Sequence, residues 1–244
     1  MNSGYYAAYT GLAARMEALD LLANNLANAN TTGFRGQNEF YRDVTASLPD
    51  FPLTPLNRAI NDFAVLGGTS LDLRQANLTP TGNNLDLAIS GPGFFAVNTP
   101  RGVRYTRNGQ FHVNTAGQIV TESNDIVLGP NGPIQLPPGQ VEISSDGTVS
   151  VASAVAGQVR LVEFAPETQL TPEGNSYLLA PAGTELAAKN SEVTQGMLEA
   201  SNVDPVHATV RLMILQRHAE QLERTLSIFL NDFNRTAATD LARD

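Results

Sequence analysis

The sequence contains no cysteine and no tryptophan. Without thiolates there is no disulfide framework, no cysteine nucleophile and no sulfur-ligated metal site, and the redox compartment is left undecided. Charge is also scarce. Asp, Glu, Lys and Arg make up 16% of the 244 residues, against 42% apolar; globular chains commonly carry about a quarter. A surface this poor in charge is either covered by neighbouring molecules or built from Asn, Gln, Ser and Thr. Basic residues are the rarer sign, 15 Lys and Arg to 24 Asp and Glu, which leaves a net charge of −9. The densest basic group, Arg74, Arg101, Arg104 and Arg107, sits in turn-rich sequence without interleaved aromatics. No nucleic-acid partner is expected from it. No apolar run reaches the roughly 18 residues of a membrane span. Met1 to Ala14 lacks the basic start and apolar block of a secretory signal.

What is present divides into three kinds of sequence. Residues 1–30 read as helix, with an apolar seam Tyr5, Tyr9, Leu12, Met16, Leu19, Ala23 and Leu26. The alternating three- and four-residue steps are those of a heptad, which keeps one face toward a partner helix. Alanines surround this seam where a surface helix would carry charge, and that predicts close packing on several sides. Residues 204–244 read as helix again, with a seam Leu212, Leu215, Ala219, Leu222, Leu226, Phe229 and Phe233. Asp204-Pro205 is a start signal, an N-cap acceptor followed by proline at the first helical position. Between the helices, 31–80 reads as a connecting region and 81–200 as β-rich. Leu85, Leu87 and Ile89 alternate, Phe94–Val97 is a short apolar run, and Asn108-Gly109, Asn131-Gly132 and Asp146-Gly147 are turn dipeptides. Val141 to Val151 reads as a hairpin around Asp146-Gly147. The expected fold class is α+β: two terminal helices in a coiled-coil-like domain and a central antiparallel β-rich domain.

Catalytic chemistry is not visible. His112, His207 and His218 are scattered, and no His-Glu-x-x-His occurs. Gly91-Pro92-Gly93 follows a strand, as a dinucleotide loop would, but Phe94-Phe95-Ala96-Val97 continues as strand and offers no helix N-terminus to a phosphate. No carboxylate pair is singled out by its spacing. No enzymatic activity, cofactor or metal is expected.

Four segments resemble one family. Ala23-Asn24-Asn25-Leu26-Ala27-Asn28-Ala29-Asn30-Thr31-Thr32-Gly33-Phe34-Arg35 is similar to the N-terminal signature of flagellar axial proteins (rod, hook and hook-associated), notably at Asn24, Asn25, Leu26, Ala27, Asn28, Thr31, Gly33 and Phe34. Leu85 to Phe95 and Tyr105 to Phe111 resemble the central motifs of that family, and Gln195 to Asp204 its approach to the C-terminal helix. The resemblance implies that the helical parts, 1–30 and 204–244, form one discontinuous polymerisation domain, pairing into an inner tube. Residues 81–200 would then be the outer domain. It further implies a structural subunit that transmits motor torque and has other copies of itself and other rod proteins as partners. Delivery would be through the flagellar type III export apparatus without a cleaved signal, to the periplasmic basal body. Tyr5, Tyr9, Leu12, Met16, Leu19, Leu26, Leu212, Leu215, Leu222, Leu226, Phe229 and Phe233 are the expected assembly contacts. The length leaves little room for the extra outer domain of hook proteins. Gln216-Arg217-His218-Ala219-Glu220 departs from the distal-rod pattern in its middle, which favours the proximal-rod type over the distal-rod or hook type. A surface fibre or adhesin with helical stalk ends is the alternative of another class, and it would need its own secretion signal.

Overall fold

The computed structural model describes residues 2–42, 65–174 and 176–241. The chain opens with α1 (Asn2–Ala27), β1 (Gln37–Arg42), β2 (Val65–Leu71), β3 (Leu78–Pro80), β4 (Leu87–Ser90), β5 (Phe94–Thr99) and β6 (Gly102–Thr106). It continues through β7 (Phe111–Val113), β8 (Ile119–Thr121), β9 (Ile126–Gly129), β10 (Gly132–Pro133), β11 (Val141–Ile143), β12 (Thr148–Val151) and β13 (Ala154–Gln158). It closes with β14 (Leu161–Glu163), β15 (Thr171–Pro172), β16 (Tyr177–Leu179), β17 (Leu186–Ala187), β18 (Glu192–Gln195), β19 (Met197–Glu199) and α2 (Pro205–Leu241). The fold is α+β.

Two compact units result. A helical unit holds Met1–Ala27, Gln37–Ser70 and Asp204–Asp244, and a β unit holds Asn28–Gly36 and Leu71–Val203. The connecting stretch 31–80 is thus shared between them. In the helical unit α1 packs on α2 and on β1, and β1 pairs with β2. The Asp204 cap forms as its sequence predicts: Oδ1 accepts from the backbone N–H of Val206 at 2.8 Å and of His207 at 3.1 Å. Two donors that the first helical turn cannot satisfy internally are thereby paired.

The β unit is antiparallel throughout its paired strands. Its main path runs β15-β16-β6-β5-β9-β8-β7, with β10 beside β9, and β14 and β17 branching from β5. β11-β12-β13 form a second sheet, and β18-β4 and β19-β3 form two-stranded ladders. β5 explains the unbroken apolar run. Phe95 and Val97 enter one hydrophobic core with Leu87, Ile89 and Phe111. Phe94 and Ala96 enter a second core with Tyr105, Val162 and Leu178. A strand buried on both faces has no reason to alternate.

Turn chemistry is only partly as expected. Val141↔Val151 pair across Asp146-Gly147, and Gly132↔Gly129 pair beside Asn131. Asn108-Gly109 closes no hairpin. A Cβ on Gly109 would lie 1.6 Å from the Leu87 carbonyl oxygen, and the Leu87 N–H donates to Gly109 O at 3.0 Å. Here glycine serves a backbone crossing rather than a turn. The first helix also stops at Ala27, short of the predicted residue 30. Gly33, beyond the helix end, has a positive φ of +66°. Its missing Cβ makes room for the backbone of Asn108, which would be 2.2 Å away.

Candidate functional site

The four motif segments converge inside the β unit on one buried ion cluster, centred on a carboxylate. Glu199, on β19, is 0% exposed. Its Oε1 accepts from Arg35 Nη2 at 2.6 Å and from the Ala76 N–H at 2.8 Å. Its Oε2 accepts from Arg107 Nη1 at 3.2 Å. Its own carbonyl accepts from the Gly33 N–H at 2.8 Å. Arg107 turns its other amino group to Gly91 O at 2.6 Å, and its guanidinium lies 4.8 Å from the centre of the Phe94 ring. Arg35 thus comes from the first motif, Gly91 and Phe94 from the second, Arg107 from the third and Glu199 from the last. The sequence distances are 164 and 92 residues.

Two cations against one anion in a dry interior is an expensive arrangement unless its remaining groups are hydrogen-bonded. Burial pushes the Arg107 guanidinium down to about 10, while Glu199 pulls it upward and Arg35 pushes it further down; the group stays cationic at neutral pH. A second buried carboxylate supports the same corner. Glu163 Oε1 accepts from the N–H groups of Lys189 and Asn190 and from Ser191 Oγ, at 3.0, 2.8 and 2.8 Å. Ser191 Oγ in turn accepts from the Gly93 N–H at 2.7 Å. Burial works to raise the Glu163 pKa, but these hydrogen bonds and the charge of Arg107 outweigh it and hold the carboxyl below its usual range. The Gly91-Pro92-Gly93 segment is thereby gripped from two sides. A Cβ on Gly91 would lie 2.1 Å from Asn190 O, which accounts for its glycine.

The N-terminal motif residues serve local structure. Asn25 is buried, its Oδ1 accepts from the Gln37 N–H at 3.0 Å, and its Nδ2 donates to Gln37 O at 2.7 Å. That two-point grip on one residue fixes where β1 begins beside α1. The Thr31 N–H donates to Asn28 O at 3.0 Å and the Phe34 N–H to Thr31 O at 3.2 Å, forming the turn that brings Gly33 against Asn108. Leu26 is half-buried, and Asn24 and Ala27 are exposed.

The helical seams are placed unequally. On α2, Ala219 and Leu226 are buried and Leu212, Leu215 and Leu222 half-buried, so the predicted seam is the inward face. On α1 the most buried line is Gly11, Ala14, Ala18, Leu22 and Asn25. Leu12, Leu19 and Leu26 flank it half-buried, while Tyr9 and Met16 are 56% and 50% exposed. Small residues let the α1 backbone approach its neighbours closely, and the larger seam residues are left toward the outside. The side chains of Tyr5, Phe229 and Phe233 lie outside the described residues. α2 also exposes Val206, Val210, Met213, Ile214 and Ile228, with Met213 at 56% and Ile214 at 48%. The basic quartet is no surface patch: Arg104 and Arg107 are buried, and Arg104 Nε meets Glu173 at 2.6 Å.

Long terminal helices that expose large apolar side chains, on a chain whose motif segments meet in a buried ion cluster, are the marks of a structural protein. Family models match the same regions. "Flagella basal body rod protein" covers residues 6–35, "Flagellar hook protein FlgE/F/G D1 domain" covers 88–151, and "Flagellar basal body rod FlgEFG protein C-terminal" covers 194–220. Similar curated proteins include the flagellar basal-body rod protein FlgF of Caulobacter vibrioides, 35% identical over 228 residues, 90% of this chain and 91% of the relative. FlgF of Mesorhizobium japonicum is 33% identical over 90% of each chain. The rod protein FlgG of Caulobacter vibrioides is 32% identical over 90% of this chain and 92% of its own. The chain belongs to the flagellar basal-body rod protein family and is a structural subunit of the rod.

Proposed function

We propose that the chain is a proximal-rod subunit that polymerises through α1 and α2. In this reading the terminal helices of successive copies associate in coiled-coil fashion into an inner tube. The β unit forms the outer layer, and the assembly carries motor torque. Its partners are further copies of itself and other rod proteins. It reaches the periplasm through the flagellar type III export apparatus without a cleaved signal. The observation that carries this is the apolar exposure on both helices. Tyr9, Met16, Val210, Met213 and Ile214 stand in water in a single chain, and burial of such side chains drives association. The proximal assignment is supported by the FlgF relatives at 33% and 35% identity; FlgG relatives, such as that of Bacillus subtilis at 30%, keep a distal position as the second reading.

The test is Met213→Asp combined with Ile214→Asp, expressed in a strain lacking its own copy of the gene. The purified chain should fold as the parent does, while basal bodies should lack a complete rod and cells should not swim. Complete rods and normal swimming would overturn polymerisation through this face. The chain is then expressed separately in strains lacking FlgF or FlgG; restoration of swimming only in the FlgG-deficient strain would favour the distal reading.

A further inference from the structure

The β unit is joined to the rest of the chain at residues 28, 36, 71 and 203, and the segments at these ends are bonded to one another. The outgoing segment 199–202 meets the incoming segment 33–36 at several points. The Gly33 N–H donates to Glu199 O at 2.8 Å, and the Asn202 N–H to Phe34 O at 3.4 Å. The Gly36 N–H donates to Asn202 Oδ1 at 2.8 Å, and Arg35 reaches the Glu199 carboxylate at 2.6 Å. The segment at 71 is bound in as well. The Asp72 N–H donates to Gly36 O at 2.8 Å, and Asn202 Nδ2 donates to Asp72 O at 2.7 Å. One side chain, Asn202, therefore holds three of the four ends.

The direction of the bonded segments matters. In the backbone-to-backbone bonds the partner numbers rise together, 33 with 199 and 34 with 202, so the two segments run the same way. A pull applied between residues 28 and 203, the outer ends of the β unit, loads the two segments from opposite ends. On two segments running in the same direction, such a pull slides one past the other and loads every cross-link together. On antiparallel segments it would peel them open one bond at a time. The charged pair at the centre of the overlap is among the stronger bonds available, and burial shields it from water. The sheets lie in the loop behind this overlap.

We propose that Gly33–Gly36 and Glu199–Asn202, locked by Arg35 and Asn202, are a shear-loaded clasp that carries load applied at the outer ends of the β unit and keeps it from the β sheets. The role of the clasp in the cell rests on the rod reading above; its mechanical behaviour does not. The absence of cysteine makes the measurement direct. Handles at Asn30→Cys and Val206→Cys, in the full chain, pull across the clasp. Handles at Ala116→Cys and Glu167→Cys pull on the sheets without crossing it. Arg35→Gln and the milder Asn202→Ala should each shorten the lifetime at a fixed force about tenfold with the first handles, in line with the loss of one charge-assisted or doubly bonded contact, and leave it nearly unchanged with the second. Unaltered lifetimes with the first handles would overturn the proposal. Equal shortening with both would also overturn it, because the two side chains would then be general stabilisers. In cells, Asn202→Ala should build rods and swim normally in dilute medium but slow disproportionately in viscous medium. A normal response to viscosity alongside a weakened clasp would refute the role in the rod while leaving the mechanical clasp standing.

Discussion

The helical unit and the β unit spend their apolar residues in opposite ways. The β unit encloses Phe95, Val97, Ile89 and Val149 completely and pairs its deepest charges with one another. The helical unit gives three of the five most buried positions on α1, Gly11, Ala14 and Ala18, to small residues and leaves Tyr9, Met16, Val210 and Met213 toward solvent. A protein built to stand alone would reverse the second choice, since exposed large apolar side chains contribute nothing to its stability and favour association. The difference separates a unit whose stability is internal from one whose stability is completed by neighbours.

Substitutions should divide along the same line. The largest effect is expected from Glu199→Ala, which leaves Arg35 and Arg107 buried without their anion. A cost of about 3–5 kcal/mol is typical of such a break, read as a lowered denaturant midpoint of the β signal. Gly33→Ala comes next. It places a methyl group against the Asn108 backbone at a residue with φ +66°, and about 2–3 kcal/mol is expected from the clash and the left-handed conformation together. A smaller effect belongs to Tyr177, whose hydroxyl donates to buried Asp125 at 2.8 Å. Burial first, with Asp125 assisting, pushes its phenol up to about 12 from about 10. Because the folded value is the higher one, this stabilisation is full below about pH 10 and is lost as pH rises toward about 12. Tyr177→Phe should flatten that part of the alkaline unfolding profile. The smallest effect on the isolated chain is expected from Met213→Asp, within about 0.5 kcal/mol as for most surface changes. A large loss there would mean that the exposed face is needed for folding, and the contrast between the units would fail.

The parts of this architecture governed by local chemistry were legible in the sequence. The Asp204-Pro205 cap, the inward seam of α2 and the Val141–Val151 hairpin each follow from neighbouring residues. The face of α1 was not legible in the same way. A heptad of large residues and a second line, Gly11, Ala14, Ala18, Leu22 and Asn25, coexist on that helix, and which line turns inward depends on how closely the partner backbone approaches. Asn108-Gly109 misled for a related reason: its glycine is required by a strand that crosses it, not by its own turn. The motif segments could be recognised by resemblance, but their shared target could not. Arg35, Arg107 and Glu199 carry no local sign that they meet, and Arg107 reads as one more exposed arginine until the fold buries it. Two arginines and a glutamate sitting inside motif segments were the available signal.

The clasp also sets an order of events. Arg35 must wait for Glu199, 164 residues further on, so a chain emerging from the ribosome has no closed β unit until most of it has been made. Contacts of such long sequence separation are slow to form, because a large loop must close before they repay it. Earlier still, until residue 163 has emerged, β5, apolar on both faces, lacks the later strand β14 on its edge. The same connection that secures the finished subunit therefore leaves the unfinished one open and in need of protection from its own kind.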